Sequence, residues 1–394
     1  MKKLIALLLA VVLCLSLVAC GSGNETTTTA GNSGNNEAAN NNGEENTEGK
    51  TMLLYSAGIG DFGLNDMMYR ACQTAIENYG YDFTLVEYGN DSSLAVNSLV
   101  DALDGKHYDY VVSMGWYITD EIIARSKDGG EWSDITFILM DCSADMDTTG
   151  CDNIYGIAFK QNEGCFMAAV YSALMTKTGK IGVCVNLDVP ITNDFGAGWL
   201  CGYKYAKNEM GMSDLGGMYT YMGEVTTQAN YESMNVVMDQ GCDVVLNVGG
   251  SVAIGAMQAA AEKGGIEAGK IIIGVDYDQY TYFANTEGTV GYETMVTSML
   301  KDGEACIAQV LDSIESGSNV IEPGTKQYGV AEGGTGLCKN DYYYEMTPAD
   351  VQEKIEEIEE KIISGEIDVV SYYDFESYDA FATYRDNLDA PFVP

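Results

Sequence analysis

The amino-acid sequence predicts an α/β protein with two lobes, each built on a doubly wound, Rossmann-like parallel sheet. Short runs that are apolar throughout alternate with single amphipathic helices, which is typical of a parallel sheet covered on both faces. The alternation restarts at about residue 160. A folded body that begins near residue 51 of a 394-residue chain is also too long for one small core.

The first series of elements predicts the first lobe. Its helices are predicted from apolar residues at helical spacing, such as Met68, Cys72 and Ile76 on one face of the first helix. In chain order the predicted strands are 52–55, 83–86, 110–113, 136–139 and 154–159, and the predicted helices are 65–78, 94–103 and 119–127.

The second series predicts the second lobe. Its predicted strands are 180–185, 217–222, 244–247 and 271–275, and its predicted helices are 163–175, 195–210, 231–240 and 251–262. Ligands of such sheets bind outside the carboxyl ends of the strands. Two facing lobes would therefore place one cleft between these ends.

The last hundred residues are less regular. One long helix is predicted at 295–316, and the glycine-rich segment 328–337 is interpreted as a strand that crosses back. Thr347 as N-cap, followed by Pro348, predicts a charged helix that ends near Gly365. The tail from residue 367 shows no clear element.

The N-terminal residues resemble a bacterial lipoprotein signal. Lys2 and Lys3 precede an apolar stretch too short for an ordinary membrane span, and Ala19 and Cys20 end it like a lipobox. We expect a signal peptide at 1–19, lipid on Cys20 and a location on the extracytoplasmic face of the cell membrane. A plain secretory signal is the alternative.

A polar segment follows this cysteine. It lacks aromatic and branched aliphatic side chains, so it cannot bury enough apolar surface to fold. Residues 20–50 are therefore predicted to be a disordered tether with a reach of roughly 30 Å.

The composition is strongly acidic. The formal charge is −39, and it becomes −41 when the two lysines of the signal are removed. Such a surface repels nucleic acid, phosphorylated ligands and anionic lipid headgroups, so no nucleic-acid partner is expected. Neither a metal site nor a cofactor is expected, because the sequence has a single histidine, His107, no Cys-x-x-Cys pair and no acidic calcium loop.

The sequence contains eleven cysteines. Cys14 leaves with the signal and Cys20 is assigned to the lipid, so an odd number remains and at least one thiol is free. Most of the others lie in apolar periodic segments and are interpreted as small core residues. Cys142 and Cys151 flank an Asp-rich loop and are the one pair for which a disulfide is suspected.

Several motifs resemble, in the same order, those of the basic membrane protein family of purine-nucleoside-receptor-type lipoproteins that serve ABC importers. The first is the glycine-rich turn 58–66, which contains Asp61, Phe62 and Asn65. The others are Asn162-Glu163-Gly164, the Pro…Phe-x-Ala-Gly segment 188–202, Gly249-Gly250, Gly-Val-Asp-Tyr-Asp-Gln at 274–279, Thr297-Ser298 with Lys301, and the segments 333–337 and 364–367. The resemblance spans about residues 52–370.

The resemblance implies a type I periplasmic-binding-protein fold with three segments that cross between the lobes. Lobe 1 would consist of 51–160 and 290–322, lobe 2 of 161–289 and 323–372, and residues 373–394 would form a C-terminal tail. A nucleoside would be held between the lobes.

The resemblance also assigns roles to individual residues. Phe195 would stack on the base, Asp276 would accept hydrogen bonds from ribose hydroxyls, and Lys301 would donate to a ribose oxygen. Asn65 would reach the base or sugar edge, while Gly249 and Gly250 would allow close backbone approach. These residue types suit the chemistry, since a carboxylate accepts two hydroxyl protons of a diol and a nearby lysine keeps it ionised.

One position departs from the family pattern. The family's first stacking phenylalanine aligns with Leu64, so the missing ring would have to come from Phe62, Trp116 or Tyr117. Asp61, from the same turn as Phe62, completes the set of candidate ligand-binding residues.

We expect a lipid-anchored solute-binding protein that captures a nucleoside, with a purine favoured, by lobe closure and delivers it to an ABC transporter permease. Its contact with the membrane would be through the lipid alone. The same fold binding a free sugar or another neutral polar solute, favoured by Leu64, and a sensor subunit stay open as alternatives. An enzyme that uses Asp276 and Asp278 as acid and base is not expected, because no nucleophile or metal constellation accompanies them.

Overall fold

The computed structural model describes residues 49–60, 63–89 and 91–392, and these residues form two six-stranded sheets with helices on both faces. The predicted signal peptide, the lipidation site Cys20 and the predicted tether before residue 49 lie outside the described residues. Asp61 and Phe62 also lie outside them.

The strands and helices are numbered in chain order. They are β1 (Thr51–Ser56), α1 (Leu64–Tyr79), β2 (Asp82–Glu87), α2 (Ala95–Leu103), β3 (Tyr110–Met114), α3 (Thr119–Ser126), β4 (Thr136–Met140), β5 (Ile154–Phe159), α4 (Gln161–Met175), β6 (Lys180–Val185), α5 (Pro190–Asn208), β7 (Gly216–Tyr221), α6 (Thr227–Asp239), β8 (Val244–Val248), α7 (Ile254–Glu262), β9 (Ile271–Asp276), α8 (Gln279–Ala284), β10 (Met295–Lys301), α9 (Gly303–Glu315), β11 (Gly324–Tyr328), β12 (Thr335–Leu337), α10 (Asp341–Met346), α11 (Ala349–Ile363) and α12 (Tyr378–Asp386).

The first sheet has the strand order β11-β5-β4-β3-β1-β2, and all its strands are parallel. Helices α1 and α9 pack on one face, and α2 and α3 pack on the other. Strands β3 and β4 are buried on both faces, which explains why their sequences are apolar throughout.

The second sheet has the order β12-β10-β9-β8-β6-β7, in which only β12 runs antiparallel to its neighbour. Helices α4 and α5 cover one face, and α6 and α7 cover the other. The predicted two-lobe α/β architecture is confirmed.

The chain crosses between the sheets three times within the described residues. The crossings follow β5, β10 and β11. Backbone hydrogen bonds tie the crossing segments together, since the Lys160 amide donates to the Tyr328 carbonyl at 3.0 Å and the Asp302 amide donates to the Gly334 carbonyl at 2.9 Å. These three segments are the covalent connections between the lobes.

The predicted helix 295–316 was wrong in its first third. Residues Met295–Lys301 form strand β10, because their buried side chains pair with β9 in the centre of the second sheet, and the helix begins only at Gly303. The assigned segment boundaries therefore differ from the structure. Strand β10 joins the second sheet rather than lobe 1, and β11 joins the first sheet rather than lobe 2.

The C-terminal tail also differs from its prediction. It contains helix α12, whose Phe381 is fully buried against the second lobe. An amphipathic stretch of nine residues gives a weak periodic signal, so its burial depends on the surface that the lobe offers.

Cys142 and Cys151 are both free and buried, so the suspected disulfide is absent. Each thiol instead points at a backbone carbonyl, that of Leu139 for Cys142 and that of Ile123 for Cys151. Among the described residues, no helix combines the length and apolar character needed to cross a membrane.

Candidate ligand-binding cleft

The two lobes meet at a buried ion pair. Lys301 is the last residue of β10, and its Nζ lies 2.9 Å from Oδ1 of Asp141, which directly follows β4. Because both strands run parallel to their central neighbours, each residue marks the carboxyl edge of its sheet. The carboxyl edges of the two sheets therefore face each other, which is where ligands of doubly wound sheets bind.

The surroundings of Lys301 keep its ammonium group charged. Burial opposes the charge, but the carboxylates of Asp141, Asp276 and Asp194 outweigh it and raise the pKa of Lys301. The Nζ also lies 4.7 Å from the centre of the Phe195 ring and 5.6 Å from that of Phe159. One cation, three carboxylates and two aromatic rings thus converge at this point.

Asp141 and Asp276 share an unusual backbone conformation. Asp141 has φ +60° and Asp276 has φ +73°, both in the left-handed region. Aspartate is one of the few non-glycine residues that enter this region, and such strain is concentrated at functional sites. Both residues stand at the carboxyl end of a strand, one in each lobe. Each lobe therefore carries one aspartate with a left-handed backbone at this edge of its sheet.

The Gly249-Gly250 turn lies beside Asp276. Gly250 has φ +55°, and a Cβ built on it would lie 3.7 Å from Oδ2 of Asp276. Gln279 stabilises the turn, because its Nε2 donates a hydrogen bond to the Gly250 carbonyl at 3.1 Å. The turn therefore brings backbone, without side chains, next to the carboxylate.

Phe195 lies in the first turns of α5, next to a fully buried carboxylate. Asp194 accepts hydrogen bonds from Ser371 Oγ at 2.7 Å, from the Tyr372 amide at 2.8 Å and from Gln161 Nε2. Burial raises the pKa of Asp194 to about 6, although these hydrogen bonds act in the opposite direction. The network holds the start of α5, and with it the buried Phe195, beside Lys301.

Asn65 and Trp116 line the same cavity on the first lobe. The cavity has a volume of about 210 Å³, and Ala57, Tyr88 and Met114 also contribute to its wall. Asn65 Oδ1 accepts a hydrogen bond from Ser56 Oγ at 2.8 Å, whereas the Trp116 side chain is 42% exposed. An amide and an accessible indole ring thus stand together at the carboxyl ends of β1 and β3.

Leu64, which stands where the family has a stacking phenylalanine, packs against the hydrophobic core of the first lobe. The predicted candidates therefore fall into two groups. Phe195, Gly249, Gly250, Asp276 and Lys301 form the group on the second lobe, and Asn65 with Trp116 forms the group on the first. Their contacts with a ligand stay predictions.

Asp141 and Phe159 were missed by the sequence reasoning. The signal for Asp141 was present, because it follows an apolar strand directly, as Asp276 ends one. Phe159 is the last residue of β5 and has the apolar character of the whole strand. Nothing in the sequence pattern therefore indicated that it lies near Lys301.

Comparisons with known proteins agree with this geometry. The family described as ABC transporter substrate-binding protein PnrA-like matches residues 49–372. Basic membrane protein A1 of Borrelia garinii subsp. bavariensis is 31% identical over 231 residues, which cover 58% of this chain and 62% of that protein. Basic membrane protein A of Borreliella burgdorferi is 26% identical over 334 residues, which cover 84% and 90% of the two chains. The chain thus spans less than two thirds of the length of the first of these relatives.

Solved structures share the fold. An ABC transporter solute-binding protein from Aeropyrum pernix K1 has a TM-score of 0.70 and 21% identity, with 87% of this chain and 98% of that chain covered. A periplasmic ribose ABC transporter protein from Conexibacter woesei has a TM-score of 0.54 and 14% identity, with 71% and 89% covered. The fold is that of type I periplasmic-binding proteins. With a family match over most of its length, the chain belongs to the PnrA-like, or basic membrane protein, family of ABC transporter substrate-binding proteins.

Proposed function

We propose that this protein captures a nucleoside between its lobes and delivers it to the permease of an ABC importer. The observation that carries the proposal is the convergence of Asp276, Lys301 and Phe195 at the facing carboxyl edges of the sheets. A nucleoside combines a diol, which suits a carboxylate and an ammonium group, with a flat base, which suits aromatic rings.

The protein would recognise the ribose of the nucleoside through charge-assisted hydrogen bonds. Asp276 can accept both hydroxyl protons of the diol, and such bonds are about twice as strong as neutral ones. Lys301 carries three N–H donors and uses one on Asp141, so it can donate to a ribose oxygen without leaving its partner. The raised pKa of Lys301 keeps this donor charged throughout the neutral range.

The base end would lie between the lobes. Phe195 offers a ring on the second lobe, and Trp116 offers one on the first, in place of the family phenylalanine that Leu64 replaces. Asn65, in the same cavity as Trp116, can donate to or accept from a polar edge of the base or sugar. A neutral nucleoside is also compatible with a chain whose formal charge is −39.

The extracytoplasmic location belongs to the same proposal. The motif that ends at Cys20 supports lipid attachment there, and the polar segment up to residue 50 would let the lobes work in water near the membrane. No catalytic role is proposed for the carboxylates of the cleft, since a binding protein needs them only as hydrogen-bond acceptors.

Isothermal titration calorimetry with inosine, adenosine, uridine, ribose and adenine tests the proposal. We expect nucleosides to bind more tightly than either fragment, and Asp276→Asn to weaken nucleoside binding by about ten- to a hundredfold, as expected for a lost charge-assisted bond. Asp278→Asn is the matched control. Asp278 caps α8 by accepting from the Thr281 amide, and asparagine keeps that cap.

A free sugar is the second candidate. The half-buried Leu64, which packs against the lobe core, favours it, because the base would lose one stacking partner. Ribose that binds as tightly as inosine would support this alternative. Full affinity for nucleosides in Asp276→Asn would remove the site assignment.

A further inference from the structure

The C-terminal helix α12 packs against the segment that leads into α5. The hydroxyl of Tyr378 donates to Oδ2 of Asp188, and Nη1 of Arg385 lies 4.0 Å from the same oxygen. Burial opposes the negative charge of Asp188, but the hydrogen bonds from Tyr378 and Asn193 and the charge of Arg385 outweigh it and keep the pKa of Asp188 below its ordinary value. Helix α12 therefore holds an ionised carboxylate just before α5 begins.

The polar contacts of Asp188 continue into the first turn of α5. Asp188 Oδ1 accepts a hydrogen bond from Asn193 Nδ2 at 2.8 Å, and Asn193 Oδ1 accepts one from the Tyr221 hydroxyl at 2.6 Å. The oxygen of Tyr221 in turn accepts from Nη1 of Arg385 at 3.3 Å. The four side chains thus form a closed cycle of polar contacts, in which the Arg385 side chain is only 17% exposed.

Phe195 lies between two positions that this cluster holds in place. Asn193 before it belongs to the cycle of polar contacts. Gly196 after it packs so closely that a Cβ there would lie 2.2 Å from the hydroxyl oxygen of Tyr219. The centre of the Tyr219 ring is 6.0 Å from Cζ of Arg385, so the guanidinium group lies next to both contacts. The backbone that carries the Phe195 ring is therefore supported on each side.

We propose that Arg385 is a positioning residue for ligand recognition, which fixes the Phe195 ring by holding the start of α5. Stacking on a base depends on the relative orientation of the two rings. The hydrogen bonds expected from Asp276 and Lys301 do not depend on α5, because these residues end strands β9 and β10. Arg385 would therefore favour a nucleoside over a free sugar. This selectivity rests on the proposed function, whereas the hold on α5 does not.

The contact depends on a part of the chain that the family match does not include. The match ends at residue 372, so Tyr378 and Arg385 lie beyond it. Their partners Asp188 and Asn193 lie within the matched residues. A recognition element of the family fold is thus supported from outside that fold.

The variant Arg385→Met tests the role by removing the guanidinium group and keeping an unbranched side chain. We expect faster deuterium uptake in residues 188–196 of the ligand-free protein. The affinity for inosine should fall about three- to tenfold, the size of one aromatic stacking contact, while the affinity for ribose should change less than about twofold. Tyr378→Phe, which removes one hydroxyl from Asp188, should act in the same direction with a smaller effect.

Lys207→Met is the matched control. Nζ of Lys207 lies 2.7 Å from Oδ1 of Asp389, so this pair also ties the end of the chain to α5. It does so about 18 Å along the helix from Phe195. Its loss should change neither the uptake in residues 188–196 nor the ratio of the two affinities.

Phe195→Leu separates positioning of the ring from a general loss of structure, because it removes the ring and keeps an apolar side chain. If Arg385 acts through the ring, adding Arg385→Met to Phe195→Leu should lower the inosine affinity little further.

Unchanged uptake in Arg385→Met would overturn the hold on α5. An equal loss of inosine and ribose affinity, or a full additional loss in the double variant, would overturn the positioning role. Faster uptake in Arg385→Met, when the unsubstituted protein binds neither inosine nor ribose, would support the hold on α5 and overturn the proposed function.

Discussion

Lys301 and Asp141 form an ion pair across the boundary of the two lobes, with Nζ and Oδ1 2.9 Å apart and side chains only 3% and 2% exposed. The partners stand 160 positions apart in the chain, at the carboxyl ends of interior strands of different sheets. Removing one partner of such a buried pair destabilises the protein strongly, because the other charge stays buried without a partner and without hydration.

Lys301→Met should therefore destabilise the protein by about 3–5 kcal/mol, since it leaves Asp141 buried and unpaired. Urea unfolding measures the change. Arg70→Met is the control, because Arg70 pairs with Glu304 at 2.7 Å but the two side chains are 52% and 40% exposed, so its loss should cost less than about 1 kcal/mol. Equal losses of stability in the two variants would contradict the interpretation of the Lys301 pair.

Asp194 should give the protein a pH-dependent stability in the acid range. Its pKa is raised from 3.8 to about 6, mainly by burial, so the folded state binds the proton more tightly than the unfolded state. The stabilising contribution is complete below about pH 4 and is lost as the pH rises through 6.

Asp194→Asn should remove this dependence, because asparagine does not titrate. Unfolding free energies measured between pH 4 and pH 7 for both proteins would show it as a difference that changes across this window. A constant difference would mean that Asp194 keeps an ordinary pKa in the folded state.

Gly198→Ala should destabilise the protein, although a change from glycine to alanine inside a helix normally stabilises by about 0.5–1 kcal/mol. A Cβ on Gly198 of α5 would lie 2.1 Å from the backbone oxygen of Asn162 in α4, so the two helices would have to separate. We expect a loss of about 1–3 kcal/mol in thermal or urea unfolding. A gain in stability would show that the helices can move apart without cost.

The buried thiols should be unreactive in the folded protein. The described cysteines are free and buried, and burial raises the pKa of Cys72 to about 12, so little thiolate is present at neutral pH. Mass spectrometry after treatment with a maleimide should find Cys142 and Cys151 unmodified in native protein and modified in urea. An unchanged melting temperature in the presence of a reductant would confirm that no disulfide joins them.

Strands β1 to β9 could be predicted from the sequence, because they are short apolar runs that alternate with helices, and most of those helices have one apolar face. Strand β10 could not, since a short apolar run such as Met295–Leu300 cannot be assigned to a strand or a buried helix by periodicity alone. Its place was decided by pairing with β9.

The candidate site shows the same division. Asp276 and Lys301 were identified through ordered motifs and strand ends, which are local features of the chain. The partners Asp141 and Phe159 and the anchoring of Asp194 by Ser371 were not, because nothing in the local sequence says which distant strand ends will face each other.

The sequence by itself determined the two-lobe architecture, the family and the acidic net charge, because burial periodicity, short motifs and net charge are properties of neighbouring residues and of composition. Only the tertiary structure decided that Lys301 meets Asp141. That pair depends on the three crossings that set one lobe against the other, and its geometry exists only in the folded chain.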